Sequence, residues 1–151
     1  MRYVSTRDAA HTATLSEALA RGIAPDGGLY VPEAFPGFAL DHFEGATTLA
    51  DVAARFLAPF FAGDPLAPAL GAIVREAFDF PVPLVPLKAA GDLAVLELFH
   101  GPTAAFKDFG ARFLAACLQT LDPSGIPHRT VLVATSGDTG SASGSSPTSR
   151  A

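Results

Sequence analysis

The segment His100-Gly101-Pro102-Thr103-Ala104-Ala105-Phe106-Lys107-Asp108-Phe109-Gly110 joins two patterns of different period. Before it, Leu93 to Phe99 reads as a buried strand, in which Glu97 needs a partner or an exposed face. After it, Phe113, Leu114, Cys117, Leu118 and Leu121 recur at helical spacing. Thr130 to Ala134 is then a second, valine-rich strand. Strand, helix and strand at this spacing predict one βαβ unit of a parallel sheet with a right-handed crossover. The quoted loop would open into the crevice beyond the first strand's carboxyl end, where open α/β sheets bind ligands.

Within that loop, Gly101 and Pro102 restrict the backbone, Asp108 is placed to cap the following helix, and Lys107 stands at its mouth. Only two lysines occur in 151 residues, Lys88 and Lys107, so Lys107 is not one of many solubilising cations. A lysine amine has a reference pKa near 10.4, and holding it neutral at pH 7 costs about 4.6 kcal/mol. Desolvation beside apolar groups such as Phe106 and Phe109 lowers that cost, and a preformed imine removes it. The plain reading is a surface lysine at a helix start beside Asp108. A helix N-terminus is the unfavourable end for a cation, which counts against it.

A second motif, Thr135-Ser136-Gly137-Asp138-Thr139-Gly140, directly follows the second strand. Glycines let backbone N–H groups converge and hydroxyls add donors, so a carboxylate or phosphate could dock there. Alone, the segment reads equally as a capped turn, and the charge of Asp138 would repel an anion unless it turns away or is paired. His100, in a loop held by Gly101 and Pro102, is read as a hydrogen-bonded structural residue. His11, His42 and His128 share no spacing, so no metal site is expected.

Upstream the chain is mainly helical. Tyr3-Val4 is a short strand, Leu15, Ala18 and Leu19 mark a helix closed by Gly22, and Pro25-Asp26-Gly27-Gly28 is a turn leading to a strand at Leu29-Tyr30-Val31. A second helix runs from Thr48 to Phe61, with Pro59 kinking or ending it. Asp64 is expected to cap a third helix that starts at Pro65 and ends near Phe78, with Ile73, Ala77 and Phe80 on its apolar side. Pro81, Pro83 and Pro86 interrupt regular structure and predict an extended connector.

The composition suits a globular chain: 49% of residues are hydrophobic and twelve are phenylalanine. A formal net charge of −5 gives no footprint for nucleic acid or anionic lipid. Cys117 is the sole cysteine, which excludes an intramolecular disulfide and suits a buried thiol. The start lacks a signal-peptide pattern and no stretch suits a membrane span, so a soluble cytoplasmic protein is expected. The final eleven residues, Ser141 to Ala151, hold five serines and no helical period, and such a segment cannot cover a sheet. The sequence therefore reads as interrupted.

The two motifs together resemble the threonine synthase family of fold-type II pyridoxal 5'-phosphate (PLP) enzymes. Glu97 to Gly110 is similar to that family's PLP-lysine signature, and Ala134 to Ala142 to its substrate loop. Gly22-Ile23-Ala24-Pro25-Asp26-Gly27-Gly28-Leu29-Tyr30-Val31-Pro32 is similar to the stretch that opens its N-terminal domain. The resemblance implies an α/β fold in which a small, mainly helical domain (1–80) and a connector (81–92) precede the first βαβ part of a fold-type II PLP domain (93–140). The unrelated serine-rich tail is 141–151. It implies a lyase of threonine biosynthesis that converts O-phospho-L-homoserine and water into L-threonine and phosphate. Lys107 would carry PLP, and Ser136, Gly137, Asp138 and Thr139 would lie around cofactor and substrate.

The family's remaining domain, with the loop that holds the cofactor phosphate, is missing from these residues. A truncated gene, a frameshift or a gene fragment would each give such an ending, and the chain is expected to be inactive alone. Two other readings remain open: another fold-type II PLP phospholyase, and a non-catalytic binding module in which PLP and borohydride would label Lys88 and Lys107 alike. The sequence indicates a small-molecule substrate and no oligomeric state.

Overall fold

The computed structural model describes residues 1–88, 91–122 and 133–144. Strand β1 (Tyr3–Ser5) lies at the centre of a three-stranded antiparallel sheet, between β2 (Thr12–Ala13) and β3 (Tyr30–Pro32). Its register sets Tyr3 against Ala13 and Pro32, and Ser5 against Tyr30. Tyr3 and Ser5 point inward and Val4 is half-buried, as a period of two requires. The Tyr3 hydroxyl donates to the Phe60 carbonyl at 3.2 Å, which ties the sheet to the helices.

Helix α1 (Leu15–Arg21) starts in a reciprocal capping box between Thr14 and Glu17 and stops at Gly22, whose φ is 73°. Helix α2 (Leu49–Phe61) begins in the same device, built from Thr48 and Asp51. Pro59 does not stop it at once, and the helix runs two residues further. Proline cannot donate to the carbonyl four residues back, that of Arg55. The His42 ring N–H donates to that carbonyl instead, at 3.3 Å, from a 3-10 turn at Leu40–Phe43. Arg55 answers by donating to the carbonyls of His42 and Glu44 at 3.0 and 2.5 Å.

The third helix departs from expectation. Asp64 is followed by a 3-10 turn (Ala67–Ala69), and α3 spans only Leu70–Ala77. Pro68 has no N–H for the Asp64 carbonyl, so the Ala67 N–H takes it at 3.0 Å and the turn tightens. The Asp64 carboxylate accepts from the Leu66 N–H at 3.0 Å and from the Ser16 N–H and hydroxyl at 2.9 and 2.5 Å. It thus caps α1 from 48 residues away. Burial works to raise its pKa, but these bonds and the N-terminal charge outweigh burial and hold it below the usual carboxylate range.

The connector also contains regular structure. Leu84–Pro86 forms β4, paired antiparallel with β5 (Ala94–Leu96) in the register Leu84↔Leu96, Val85↔Val95 and Pro86↔Ala94. Proline loses its donor but keeps its carbonyl, and the Pro83 carbonyl accepts the Glu97 N–H at 3.0 Å. The expected buried strand from Leu93 to Phe99 is therefore shorter, and it is exposed: Leu96 is 54% accessible.

Helix α4 (Asp108–Leu121) follows β5, but among the described residues β5 pairs only with β4, antiparallel, so the expected parallel pairing of a βαβ unit is not seen there. Thr130 to Leu132 of the expected second strand lie outside the described residues, and Val133 and Ala134 are not in a strand. Helix α4 packs on α3 and α1, so one core continues from Tyr3 through Phe61, Leu66, Ile73 and Val74 to Ala116 and Cys117. Cys117 is wholly buried, and burial pushes its thiol up to about 12. The expected face of α4 is largely the one that packs, with Cys117 buried and Phe113 and Leu121 against the core, but Leu114 is 41% exposed and Asp108, Arg112 and Ala116 are also turned inward. The buried Arg112 guanidinium donates to the Ala77 and Glu76 carbonyls at 2.9 and 2.7 Å, closing the C-terminal end of α3. Helix α5 (Asp138–Gly144) corrects the reading of Ser141 onward as lacking a helix. A single buried alanine, Ala142, anchors it in place of an amphipathic stripe. Among the described residues no helix is long and apolar enough to cross a membrane.

Candidate functional site

The site is built at the two ends of α4 and α5 that face each other. Beyond β5, the His100 ring N–H donates to the Glu97 carboxylate at 2.7 Å, and its ring stacks on Phe99 at 4.7 Å. Glu97 thereby gains the partner it needed, and His100 has a structural bond. The chain then turns through Gly101 and Pro102 into a tight loop.

Asp108 shapes that loop. It was expected to cap α4, but it is the helix's first residue, and its carboxylate turns back to accept the Thr103 N–H at 2.9 Å and hydroxyl at 2.8 Å. The side chain is fully buried. It sits so close to Gly101 that a Cβ there would lie 2.9 Å from Asp108 Cβ and Cγ. Ala104, which donates its N–H to the Gly101 carbonyl at 3.0 Å, has φ 55°, a left-handed conformation unusual for alanine. Such a residue marks a loop whose surroundings over-determine its shape.

Lys107 follows at the helix entrance with helical φ and ψ, half-buried, its carbonyl accepting the Ala111 N–H at 3.0 Å. Its Nζ donates to Thr139 Oγ1 at 2.8 Å. The two motifs thus meet through the amine of Lys107 and the hydroxyl of Thr139, 32 residues apart in sequence. The expected apolar wrapping differs: Phe106 is 62% exposed, and Phe109 packs against Phe80 and Phe78 at 5.0 and 6.0 Å. Their rings stabilise the α3–α4 junction instead of drying the amine.

The partner turn is compact. Gly137 has φ 148° and donates its N–H to Thr135 Oγ1 at 3.2 Å. Gly140 passes close to the Thr135 methyl, and a Cβ would lie 2.8 Å from it. Ser136, Gly137 and Asp138 share this turn with Thr139 and are exposed, while Thr139 is half-buried. The arrangement suits a cofactor bearing an aldehyde: the only described lysine besides Lys88 presents its amine beside a hydroxyl, at a turn open to incoming ligand. A cleft of about 1080 Å³ lies elsewhere, lined by Thr48, Asp51, Arg75, Asp79 and Pro81 among others. It includes neither Lys107 nor residues 135–139 and contains no lysine.

The clamp formed by Gly101, Thr103 and Asp108 is what the sequence reading missed. Its signal was present in a threonine five residues before a buried acid, with a glycine two residues earlier. The paired capping boxes were equally legible as Thr-x-x-Glu and Thr-x-x-Asp.

A family model described as the threonine synthase N terminus matches residues 2–78. The threonine synthase of Pseudomonas aeruginosa is 40% identical over 149 residues, covering 94% of this chain and 31% of that protein. That of Escherichia coli is 37% identical over 144 residues, covering 94% and 33%. The crystal structure of the Escherichia coli threonine synthase superposes with a TM-score of 0.82 at 36% identity, over 95% of this chain and 33% of the other. The PLP-bound threonine synthase of Brucella melitensis gives a TM-score of 0.82 at 39% identity, over 95% and 32%. The chain spans about a third of the length of these relatives. The mixed helix-and-strand fold is thus that of the corresponding region of threonine synthase, as expected from the sequence.

Proposed function

The chain belongs to the threonine synthase family, and we propose that its Lys107 is the covalent carrier of PLP in the conversion of O-phospho-L-homoserine and water to L-threonine and phosphate. The observation that carries this reading is the 2.8 Å bond between Lys107 Nζ and Thr139 Oγ1, which joins the two motifs. Residues 1–80 then act as a scaffold whose α1 and α3 seat α4, and residues 93–140 supply the reacting groups. PLP, when bound, supplies an electron sink for carbanions next to the amino group. Thr139 would orient the Lys107 amine, and that amine would move protons at the substrate's α and β carbons. Ser136, Gly137 and Asp138 line the approach of substrate and cofactor ring.

The 151 residues alone are expected to release no phosphate from O-phospho-L-homoserine, because Val133 to Asp138 stand open to solvent, and such chemistry needs a site that admits the reacting water but keeps bulk solvent out. The carrier reading has a direct test. Purified chain is incubated with PLP, reduced with borohydride and mapped by peptide mass spectrometry. Label concentrated on Lys107, with the imine absorbance lost in Lys107→Ala, is the expected result. Equal labelling of Lys88 and Lys107 refutes it.

A further inference from the structure

We propose that Asp108 is a positioning residue for Lys107, acting through Thr103 and Gly101; the inference rests on the carrier reading of Lys107. Its carboxylate is fully buried, and taking a carboxylate out of water is costly unless donors are waiting for it. Three features of the loop meet it: the Thr103 N–H at 2.9 Å, the Thr103 hydroxyl at 2.8 Å, and the bare backbone of Gly101. The entrance of α4 adds a favourable field for an anion. Buried charges contribute little net stability, so a residue whose work was only to hold α4 in place would serve as well if it were apolar.

What the carboxylate does fix is the path of residues 101–107. Ala104 is held at φ 55°, a conformation that residues with a side chain rarely adopt, between the bond to the Gly101 carbonyl and the Thr103–Asp108 pair. Lys107 is the residue on which this path ends, and Asp108 is its immediate neighbour. Removing the carboxylate releases Thr103 and lets Ala104 relax to negative φ. That turns the Lys107 side chain from Thr139 while leaving α4 anchored through Arg112 and Cys117. The hydrogen bonds of the carboxylate run to Thr103 and not to the Lys107 amine.

The two lysines provide an internal ratio. Chain treated with PLP and borohydride is mapped, and label on Lys107 is divided by label on Lys88. Asp108→Ala is expected to lower that ratio about tenfold, the effect of losing one to two hydrogen bonds. Asp108→Asn, which keeps an acceptor for the Thr103 N–H, should restore most of it. Thr103→Val removes only the hydroxyl and should lower the ratio about threefold with helical circular dichroism intact, so it decides the matter if Asp108→Ala does not fold. A wild-type ratio near one overturns the carrier reading and this inference with it. A high wild-type ratio that is undiminished in Thr103→Val, or in folded Asp108→Ala, overturns this inference alone. So does a low ratio unrelieved in Asp108→Asn, because a generally loosened loop would not distinguish the acceptor from its absence.

Discussion

Replacing Arg112 by methionine isolates the contact that holds α4 on α3. The guanidinium is buried and donates three hydrogen bonds: to the Ala77 carbonyl at 2.9 Å, the Glu76 carbonyl at 2.7 Å and the Asp79 carboxylate at 2.7 Å. The three are not equal. Asp79 has a side chain 60% exposed, so water takes over when the arginine leaves, and that bond adds well under about 1 kcal/mol. The two carbonyls close the last turn of α3, where Ala77 is buried. Each loses a charge-assisted bond worth about 1.5–3 kcal/mol. Methionine keeps most of the apolar stem, so little packing is lost. The expected destabilisation is about 3–5 kcal/mol, a large share of the roughly 5–15 kcal/mol typical of a folded domain.

Arg112→Lys keeps the charge but offers one ammonium in place of a planar fork, and it should recover only one carbonyl, losing about 2 kcal/mol. Urea titrations followed by circular dichroism at 222 nm would measure both. With a slope of about 2 kcal/mol per M, the midpoint should fall by roughly 1.5–2.5 M for methionine and by about half as much for lysine. A loss below about 1 kcal/mol for methionine, or a lysine variant equal to wild type, would show that the carbonyls are satisfied otherwise and refute the argument.

Alkaline pH should unfold the chain early. Burial pushes Cys117 and Tyr3 up to about 12 from ordinary values near 9 and 10. Their contribution is complete below pH 9 and falls as pH rises to about 12, because only the unfolded chain releases these protons, at up to about 1.4 kcal/mol per pH unit per group; Cys117→Ala should flatten the slope of stability against pH between 9 and 12. Thr14→Ala and Thr48→Ala should each lose about 1 kcal/mol, additively in the double variant, since the caps lie on separate helices; a markedly non-additive thermal shift would contradict independent capping. Ala104→Gly should hold or raise the melting temperature, and Ala104→Val should lose about 1–2 kcal/mol, because only glycine adopts φ 55° without strain.

The sequence was most legible where the responsible forces are local. Thr14 to Gly22 carries both its start and its stop signal within nine residues, and the strand at Tyr3 and the turn at Pro25 to Gly28 follow from alternation and positive φ. Lys107 was singled out by scarcity and by its place between two periods, neither of which needs a tertiary contact. The failures share the opposite property. Asp64 looked like the cap of the helix beside it, yet two of its bonds run to Ser16, a partner 48 residues away. Leu114 looked like core because periodicity counts apolar residues, yet it is 41% exposed, while the inward side of α4 also holds Arg112, which reaches the carbonyls of α3. A proline-rich stretch looked irregular because missing donors were counted, and the carbonyls that still accept were not.

Asp108 shows why site residues are harder to read than site chemistry. In the sequence it stands beside the amine, where charge pairing or helix capping is the economical guess. In the fold its carboxylate points away from both jobs, toward a threonine five residues back, and the space it occupies exists only because position 101 has no side chain. Nothing in the period of α4 encodes that. It requires the loop to close first, and the loop closes on the same three residues. Such a mutually dependent cluster is invisible to any one-residue propensity. It becomes legible as a spacing, a glycine, a threonine and an acid at 101, 103 and 108, once the geometry has shown that they touch. If that geometry presents the lysine, Gly101→Ala should mimic the loss of Asp108 although both the acid and the threonine remain, with the Lys107-to-Lys88 labelling ratio falling by a similar factor. An unchanged ratio in that variant would mean that the close approach of Gly101 to Asp108 has no part in placing the amine.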